Sequence, residues 1–352
     1  HPDYCPVTYK NGIYFPRSSK VMTKEESKKL KCKGNMRTYR EAKGLTTEQE
    51  ERCINEAAFY VDVREVPTVQ EVLDKAQNDL ESLAKNKGRV TGLTTGLIDL
   101  DNLTNGFSPT QLVIVAARPA VGKTAFALNI ATAAAKATKK NIAIFSLEMP
   151  AEQLVLRMIS SLGQIDNKKL QTGRLESEDY RRLNEAMSQL ADTNIFFHDA
   201  SATTASEIQA KCRRLSTQGE GLGLVLIDYL QLIESSGKYQ GARQQEISDI
   251  SRKLKTMALD LGVPVIALSQ LSRGVEKRED KKPVLSDLRE SGSIEQDADI
   301  VAALHAPDVE LPSDENLPVP IQLIILKHRN GPIATIDMLF KKKTSTFLSI
   351  KR

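Results

Sequence analysis

From about residue 90 onward, apolar residues fall in short, strand-sized runs, and helix-length segments separate most of the earlier ones. The runs are Leu112–Ala116, Ile142–Ser146, Asn194–His198, Leu224–Asp228, Val263–Ser269, Ile300–Leu304 and Ile321–Leu326. Such alternation is typical of an α/β protein with a mainly parallel central sheet covered on both faces. Ligands bind at the carboxyl ends of the strands in these sheets. We therefore expect the functional residues directly after the apolar runs.

A single helix is predicted ahead of this region, over Thr68–Ala84. Thr68 with Glu71 three residues later forms a capping-box pattern. Apolar residues then repeat at helical spacing with charged residues opposite, namely Val69, Val72, Leu73, Ala76, Leu80 and Leu83. A helix folded on its own domain and an arm docked on a neighbouring subunit both fit this stripe.

Residues 1–66 are polar and give no chemistry of their own. The Asn11-Gly12 pair between Tyr9 and Tyr14 predicts a β-hairpin. Cys5, Cys32 and Cys53 lie in this segment beside His1, so a zinc site stays open, although no two of them have paired ligand spacing. We expect three parts: an N-terminal segment of unknown role (1–66), the helix (67–88) and the α/β domain (89–352).

Composition excludes some classes of protein. Apolar residues make up 40% and charged residues 27%, as in ordinary globular proteins. No apolar run approaches the ~20 residues of a membrane-spanning helix, and the N-terminus lacks the apolar stretch of a signal peptide. We expect a cytoplasmic protein with reduced thiols and no membrane partner, and a chain that begins at His1 suggests a fragment. The net charge of +4 is too small to indicate a polyanionic partner by itself.

The strongest chemical signal follows the first run, in the segment Ala117-Arg118-Pro119-Ala120-Val121-Gly122-Lys123-Thr124-Ala125. A tight loop that feeds a helix N-terminus directs backbone N–H groups and the positive end of the helix at a phosphate. Gly122 lets the main chain approach, Lys123 can reach the β- and γ-phosphates, and the Thr124 hydroxyl can hold Mg²⁺. The general pattern has Gly where this chain has Ala117, so the match is imperfect.

Polar residues follow the other runs. Glu148 could polarise a water for attack on a γ-phosphate, or serve as an N-cap or first-turn acid of a helix near Ala151. Asp228 could hold Mg²⁺. Gln270 could hydrogen-bond a γ-phosphate, or be a loop amide bonded to backbone. Lys327 and Arg329 precede a turn, where Arg329 is a candidate arginine finger or an exposed turn residue.

Taken together, these motifs resemble the motor domain of DnaB-type replicative helicases, from about Val66 to the end of the chain. The segments that carry the resemblance are RPAVGKT (118–124), SLEM (146–149), IDYLQ (227–231), SQLSR (269–273), DLRESGSIEQDAD (287–299) and KHRNGP (327–332). Ala at position 117 is usual in this family. The resemblance implies a RecA-like P-loop fold, ATP or another nucleoside triphosphate with Mg²⁺, and a homo-hexamer that moves on single-stranded DNA.

The resemblance also assigns roles. Lys123 and Thr124 would bind nucleotide and Mg²⁺, with Asp228 as the second Mg²⁺-associated group, Glu148 as catalytic base and Gln270 as γ-phosphate sensor. Lys327 and Arg329 would act on the adjacent subunit's nucleotide. A central DNA-binding loop would contain Arg289, Glu290, Ser291 and Gly292. The helix at 68–84 would be the linker that docks on the neighbouring subunit.

Two departures limit the carry-over. Residues 1–60 do not resemble the family's helical N-terminal domain, so primase and a helicase loader are partners only by family. The segment Leu304-His305-Ala306-Pro307 lacks an expected Tyr-Arg pair, which predicts a divergent loop and a phage, plasmid or diverged bacterial member. The alternatives are a RecA/RadA-like recombination or repair ATPase, and a DNA-binding assembly or switch protein that hydrolyses nucleotide without unwinding.

Overall fold

The computed structural model describes residues 7–10, 13–16, 68–85, 90–200, 202–234, 242–288, 292–307 and 317–350. The chain divides into two compact units, His1–Lys85 and Asn86–Arg352. In the first, β1 (Val7–Lys10) and β2 (Ile13–Pro16) pair antiparallel with Lys10 opposite Ile13, which confirms the predicted hairpin. Its turn and the cysteines of the zinc hypothesis lie outside the described residues.

Helix α1 spans Val69–Lys85 and begins with the predicted capping box. The backbone N–H of Thr68 donates to Glu71 Oε2 at 2.6 Å, and the backbone N–H of Glu71 donates to Thr68 Oγ1 at 3.4 Å. The described side chains of the apolar stripe are exposed: Val69 is 77% and Leu80 65% accessible. The helix is therefore where the sequence predicts it, and its role as an inter-subunit linker stays a prediction.

The described strands of the second unit form one nine-stranded sheet in the order β11-β10-β9-β8-β3-β7-β6-β4-β5. Strands β3 to β8 pair parallel, and β9 to β11 add an antiparallel edge. The strands are β3 (Leu112–Ala117), β4 (Asn141–Ser146), β5 (Ile195–His198), β6 (Leu222–Asp228), β7 (Val265–Gln270), β8 (Ile300–His305), β9 (Val319–His328), β10 (Thr335–Lys341) and β11 (Thr346–Ser349). This is the predicted α/β fold.

Helices cover both faces of the sheet. They are α2 (Ile98–Thr104), α3 (Lys123–Ala137), α4 (Ala151–Gly163), α5 (Asn167–Thr172), α6 (Ser177–Ala191), α7 (Ala205–Ser216), α8 (Arg243–Leu261) and α9 (Gly292–Asp297). Side chains of β3 alternate between the two cores: Val113 and Val115 share one with Phe126 of α3, and Ile114 shares the other with Leu254 of α8. Because β3 is buried on both faces, its sequence is a continuous apolar run.

One expectation about this sheet was wrong. Leu304 and His305 do not belong to a divergent loop; they are the last residues of β8, and both are buried. In β8, Leu304 pairs with Leu323 and His305 with Gln322 of β9, so the antiparallel edge strand keeps this segment extended. Among the described residues, no helix combines the length and the apolar character needed to cross a bilayer.

Candidate active site

The predicted functional residues meet because their strands are neighbours. In the sheet, β3, β7, β6 and β4 lie side by side and run parallel, so their carboxyl ends share one edge. The phosphate loop follows β3, Gln270 ends β7, Asp228 ends β6 and Glu148 follows β4. This edge is where α/β sheets bind ligands.

The segment between β3 and α3 has the form of a phosphate-binding loop. Helix α3 begins at Lys123 with Gly122 as its N-cap, and no side chain of the described residues caps that end. Free N–H groups at a helix start attract anions. Gly122 has φ +103°, and a Cβ there would lie 2.9 Å from the ring of Phe340. Glycine is therefore required by both backbone conformation and space.

Lys123, Thr124 and Asp228 form the polar centre of the site. The hydroxyl of Thr124 donates to Asp228 Oδ2 at 2.7 Å, and Lys123 Nζ lies 3.7 Å from Asp228 Oδ1. The ammonium also lies 4.4 Å from the centre of the Tyr229 ring, in cation–π geometry. Burial lowers the pKa of Lys123, and the charges of Asp228 and Glu148 oppose that shift. A phosphate brought to this ammonium would favour its charged form further.

Glu148 is held at the mouth of the site by a short turn. The backbone N–H of Met149 donates to Ser146 Oγ at 3.2 Å, and that of Leu147 donates to the carbonyl of Asp228 at 2.8 Å. Helix α4 begins later, with Pro150 as N-cap and Glu152 as its first-turn acid. The reading of Glu148 as an N-cap or first-turn acid is therefore wrong. Its exposed carboxylate faces a cleft.

A cleft of about 440 Å³ joins these parts. Most of the predicted nucleotide-binding residues line it: Arg118, Pro119, Ala120, Gly122, Lys123, Thr124, Ala125, Glu148 and Gln270. Two of the predicted set lie elsewhere. Val121 packs against the core beneath the loop. Asp228 lies behind Thr124 with 1% of its surface exposed.

Comparison with known proteins agrees with this geometry. Residues 92–349 match the family model described as the DnaB-like helicase C terminal domain. The chain belongs to this family. It is 51% identical over 302 residues to the replicative DNA helicase DnaC of Bacillus subtilis, covering 86% of this chain and 66% of that protein. It is also 51% identical over 284 residues to the replicative DNA helicase DnaB of Geobacillus stearothermophilus, covering 81% of this chain and 62% of that protein. The chain thus spans less than two thirds of the length of these relatives.

Solved structures show the same fold. One solved ATPase domain superposes with a TM-score of 0.76 at 38% identity, covering 82% of this chain and all (100%) of that one. A DnaB-like replicative helicase, whose structure was described together with its interactions with primase, gives a TM-score of 0.74 at 36% identity. That alignment covers 86% of this chain and 72% of that chain. The fold is the RecA-like one of DnaB-like helicases.

The residues at the centre of this DnaB-like domain fit Mg²⁺. Asp228 Oδ1 is buried and has no hydrogen-bond partner in the described part of the chain, and it lies beside the Thr124 hydroxyl. Mg²⁺ takes oxygen ligands and is usually held by one or two protein groups together with phosphates and waters. Thr124 and Asp228 would hold the ion, which would neutralise charge on the phosphate oxygens.

Lys327 and Arg329 are not among the described residues that line this cleft. Both bind the carboxyl end of α9 instead. Lys327 Nζ donates to the carbonyls of Ala298 at 2.7 Å and Gln296 at 3.3 Å, and also to that of Glu295. Arg329 donates to the carbonyl of Gln296 and pairs with Asp299 Oδ1 at 3.4 Å. Burial and the nearby Arg329 lower the pKa of Lys327.

The predicted DNA-binding residues are only partly described. Arg289, Glu290 and Ser291 lie outside the described residues, and Gly292 is the first residue of α9. Sequence reasoning missed several groups that line the cleft: Met149, Arg157, Tyr229, Phe340, Lys342 and Ser345. Arg157 comes from α4, whereas Phe340 and Lys342 come from the antiparallel edge near the end of the chain. Of these residues, Met149 and Tyr229 lie inside recognised motifs and so carried a signal in the sequence, whereas the others did not.

Proposed function

We propose that this chain is the ATP-hydrolysing motor of a replicative DNA helicase. As a homo-hexamer it moves along single-stranded DNA, by resemblance 5′→3′, and separates the duplex ahead of it. The observation that carries the proposal is the convergence of Lys123, the Thr124–Asp228 pair, Glu148 and Gln270 around one cleft in a chain of the DnaB-like family.

Each group has a chemical task in this proposal. The free N–H groups at the start of α3 and the ammonium of Lys123 bind the phosphates. The exposed carboxylate of Glu148 accepts a proton from the attacking water. Gln270, at the end of β7, hydrogen-bonds the γ-phosphate and responds to its loss. Catalysis of phosphoryl transfer depends mostly on such positioning and charge stabilisation.

The neighbouring subunit completes the site in this proposal. Lys327 and Arg329 lie outside their own subunit's cleft, which supports a role at the adjacent nucleotide. Cations supplied in this way stabilise the charge that develops during phosphoryl transfer. The exposed apolar stripe of α1 supports its docking on a second copy of the chain. The hexamer is thus part of the mechanism.

The DNA would be held by residues 289–292. Arginine and backbone N–H groups bind phosphates without reading bases, which suits a motor that moves over any sequence. Primase and a helicase loader are further partners by family, and one solved relative was described with primase. We assign the chain to the cytoplasm on the same family grounds.

Strand displacement tests the proposal. The chain is incubated with ATP, Mg²⁺ and a forked duplex, and strand separation and phosphate release are measured beside a Lys123→Ala variant. We expect displacement by the unmodified chain and none by the variant. DNA-stimulated hydrolysis without displacement on forks of either polarity would refute the helicase function and favour a switch ATPase. Filament formation on single strands would favour a recombination ATPase.

A further inference from the structure

Arg118 is the first residue of the phosphate loop, but its side chain contacts a different segment. Its Nε and Nη2 groups donate to Glu276 Oε1 at 2.8 and 2.5 Å. Its Nη1 group donates to the carbonyl of Leu271 at 2.9 Å. All these bonds reach the segment that directly follows β7 and Gln270. The guanidinium therefore connects the loop that binds phosphates to the chain beyond the predicted γ-phosphate sensor.

The segment after β7 is a braced loop, residues 271–288, here named the bracket. Leu271 and Leu288 at its two ends form an antiparallel bridge, and the N–H of Ser272 donates to the carbonyl of Asp287 at 2.8 Å. Inside it, Arg278 Nη1 donates to the buried carboxylate of Asp287 at 2.9 Å. Leu271 and Leu288 are buried, with 1% and 3% of their surface exposed. The bracket is therefore closed at its two ends and braced inside by hydrogen bonds.

The two ends of the bracket lead to the two ligands of the proposed motor. Its first residue, Leu271, follows Gln270, and its N–H donates to the carbonyl of Ala117 in β3 at 3.1 Å. Its last residue, Leu288, directly precedes Arg289 of the predicted DNA-binding loop. Arg118 and the bracket therefore connect the phosphate loop to the segment from which the predicted DNA loop begins.

Glu276 supplies the carboxylate of this connection, and its ion pair contributes little to the stability of the fold. Its side chain is 58% exposed, whereas that of Arg118 is 19% exposed. An ion pair with one partner in water contributes little to stability. The pair nevertheless fixes the direction of the guanidinium, because two N–H groups meet one carboxylate oxygen while a third meets a buried carbonyl.

We propose that Glu276 is a positioning residue that, through Arg118 and the bracket, couples nucleotide binding to DNA binding within one subunit. This inference rests on the proposed function, because it needs DNA at residues 289–292. Glu276 is not among the described residues that line the nucleotide cleft, and it is not part of the predicted DNA loop. Its loss should leave each ligand's own affinity nearly unchanged and reduce the influence of one ligand on the other.

Thermodynamic coupling tests the inference directly. The affinity of a fluorescent oligo-dT for the full chain is measured by anisotropy, with and without a non-hydrolysable ATP analogue and Mg²⁺. The ratio of the two dissociation constants is the coupling factor, typically about 5- to 150-fold, and the analogue's affinity must change by the same factor on addition of DNA. We expect Glu276→Ala to reduce this factor about five- to tenfold. Glu276→Gln keeps a hydrogen-bond acceptor, so it should recover part of the coupling.

A matched control separates coupling from folding. Glu279 is an exposed acid in the same bracket, and within the described chain Arg118 makes no hydrogen bond to it. Glu279→Ala should keep the full coupling factor. Both alanine variants should retain the unstimulated ATPase rate and the thermal unfolding midpoint of the parent. DNA stimulation of hydrolysis should fall only in Glu276→Ala.

The outcomes are distinguishable. A parent chain whose DNA affinity responds to the analogue, beside a Glu276→Ala variant that responds equally, would overturn the inference alone. A Glu276→Ala variant that also loses unstimulated hydrolysis or melts well below the parent would overturn it in favour of a structural role. A parent chain that hydrolyses ATP with no response to DNA would refute the proposed motor function and the inference together.

Discussion

The hydroxyl of Thr124 is the one hydrogen-bond donor that reaches the carboxylate of Asp228 in the described part of the chain. It donates to Oδ2 at 2.7 Å, and the ammonium of Lys123 lies 3.7 Å from Oδ1. Asp228 is 1% exposed, so water does not replace a lost donor. Thr124→Val exchanges this hydroxyl for a methyl group of nearly the same shape. The substitution therefore tests the polar centre of the site with little change in packing.

The expected cost follows from the burial of the acceptor. A hydrogen bond to a charged group contributes about 1.5–3 kcal/mol, and a buried acceptor left without its donor incurs the full desolvation penalty. We expect the free energy of unfolding to fall by about 2 kcal/mol. For a domain of this size, about 2–4 °C of melting temperature corresponds to 1 kcal/mol, so the midpoint should fall by about 4–8 °C.

Thermal unfolding without nucleotide or Mg²⁺ measures this cost. Thr124→Ser keeps the hydroxyl, so its midpoint should stay closer to that of the parent than the midpoint of Thr124→Val. A second assay titrates a fluorescent ATP analogue with and without Mg²⁺. The parent and Thr124→Ser should bind it more tightly with Mg²⁺, whereas Thr124→Val should lose that gain, because a methyl group cannot hold the ion.

Two results would contradict this reasoning separately. A Thr124→Val variant that melts with the parent would show that the bond to Asp228 does not stabilise the buried carboxylate. A Thr124→Val variant that melts lower but keeps the full Mg²⁺ effect would show that position 124 does not hold the ion. In that case Asp228 and the phosphates would hold it without the hydroxyl.

Three further predictions concern the same cleft and its proposed neighbour. Glu148→Gln should slow hydrolysis about 10²- to 10⁴-fold with unchanged nucleotide affinity, because the exposed carboxylate acts only as a base; a rate within twofold of the parent, roughly, would exclude that role. Arg329→Ala should abolish hydrolysis and keep nucleotide binding. Mixing this variant with Lys123→Ala subunits should restore some activity. A loss of nucleotide binding as large as the loss of hydrolysis would place Arg329 in its own subunit's site. Burial lowers the pKa of Lys123, so nucleotide affinity should begin to fall with rising pH before the ordinary pKa of a lysine side chain is reached. Lys123→Arg stays charged, so a parallel fall in that variant would refute the assignment.

The parallel strands were predictable because a strand that is buried on both faces consists mostly of consecutive apolar residues. Strands β3, β4 and β6 are buried along their whole length, so each contains a continuous apolar run, namely Leu112–Ala117, Ile142–Phe145 and Leu224–Ile227. The antiparallel edge was not predicted in full. In β10 exposed and buried residues alternate, and β11 has only four residues, so neither gives a continuous run.

The candidate site was predictable only where its residues follow strands or belong to a contiguous motif. Membership of a motif was also misleading, because Val121 lies within the loop motif but packs against the core and does not line the cleft. Phe340 and Lys342 reach the cleft from β10 and the turn after it, more than two hundred positions beyond the phosphate loop in the sequence. That approach depends on the order β10-β9-β8-β3 in the sheet, which no local pattern encodes.

The predicted DNA loop has a different attachment on each side. On the N-terminal side of the loop, the bracket connects Leu288 through Leu271 to Arg118 of the subunit's own phosphate loop. Behind it, the carboxyl end of α9 is held by Lys327 and Arg329, the cations assigned to the neighbour's nucleotide. If DNA shifts residues 289–292, the first attachment reports to the subunit's own site and the second to the adjacent one. Glu276→Ala should therefore weaken coupling within a subunit, while the mixed-subunit activity of Arg329→Ala with Lys123→Ala reports the contact between subunits.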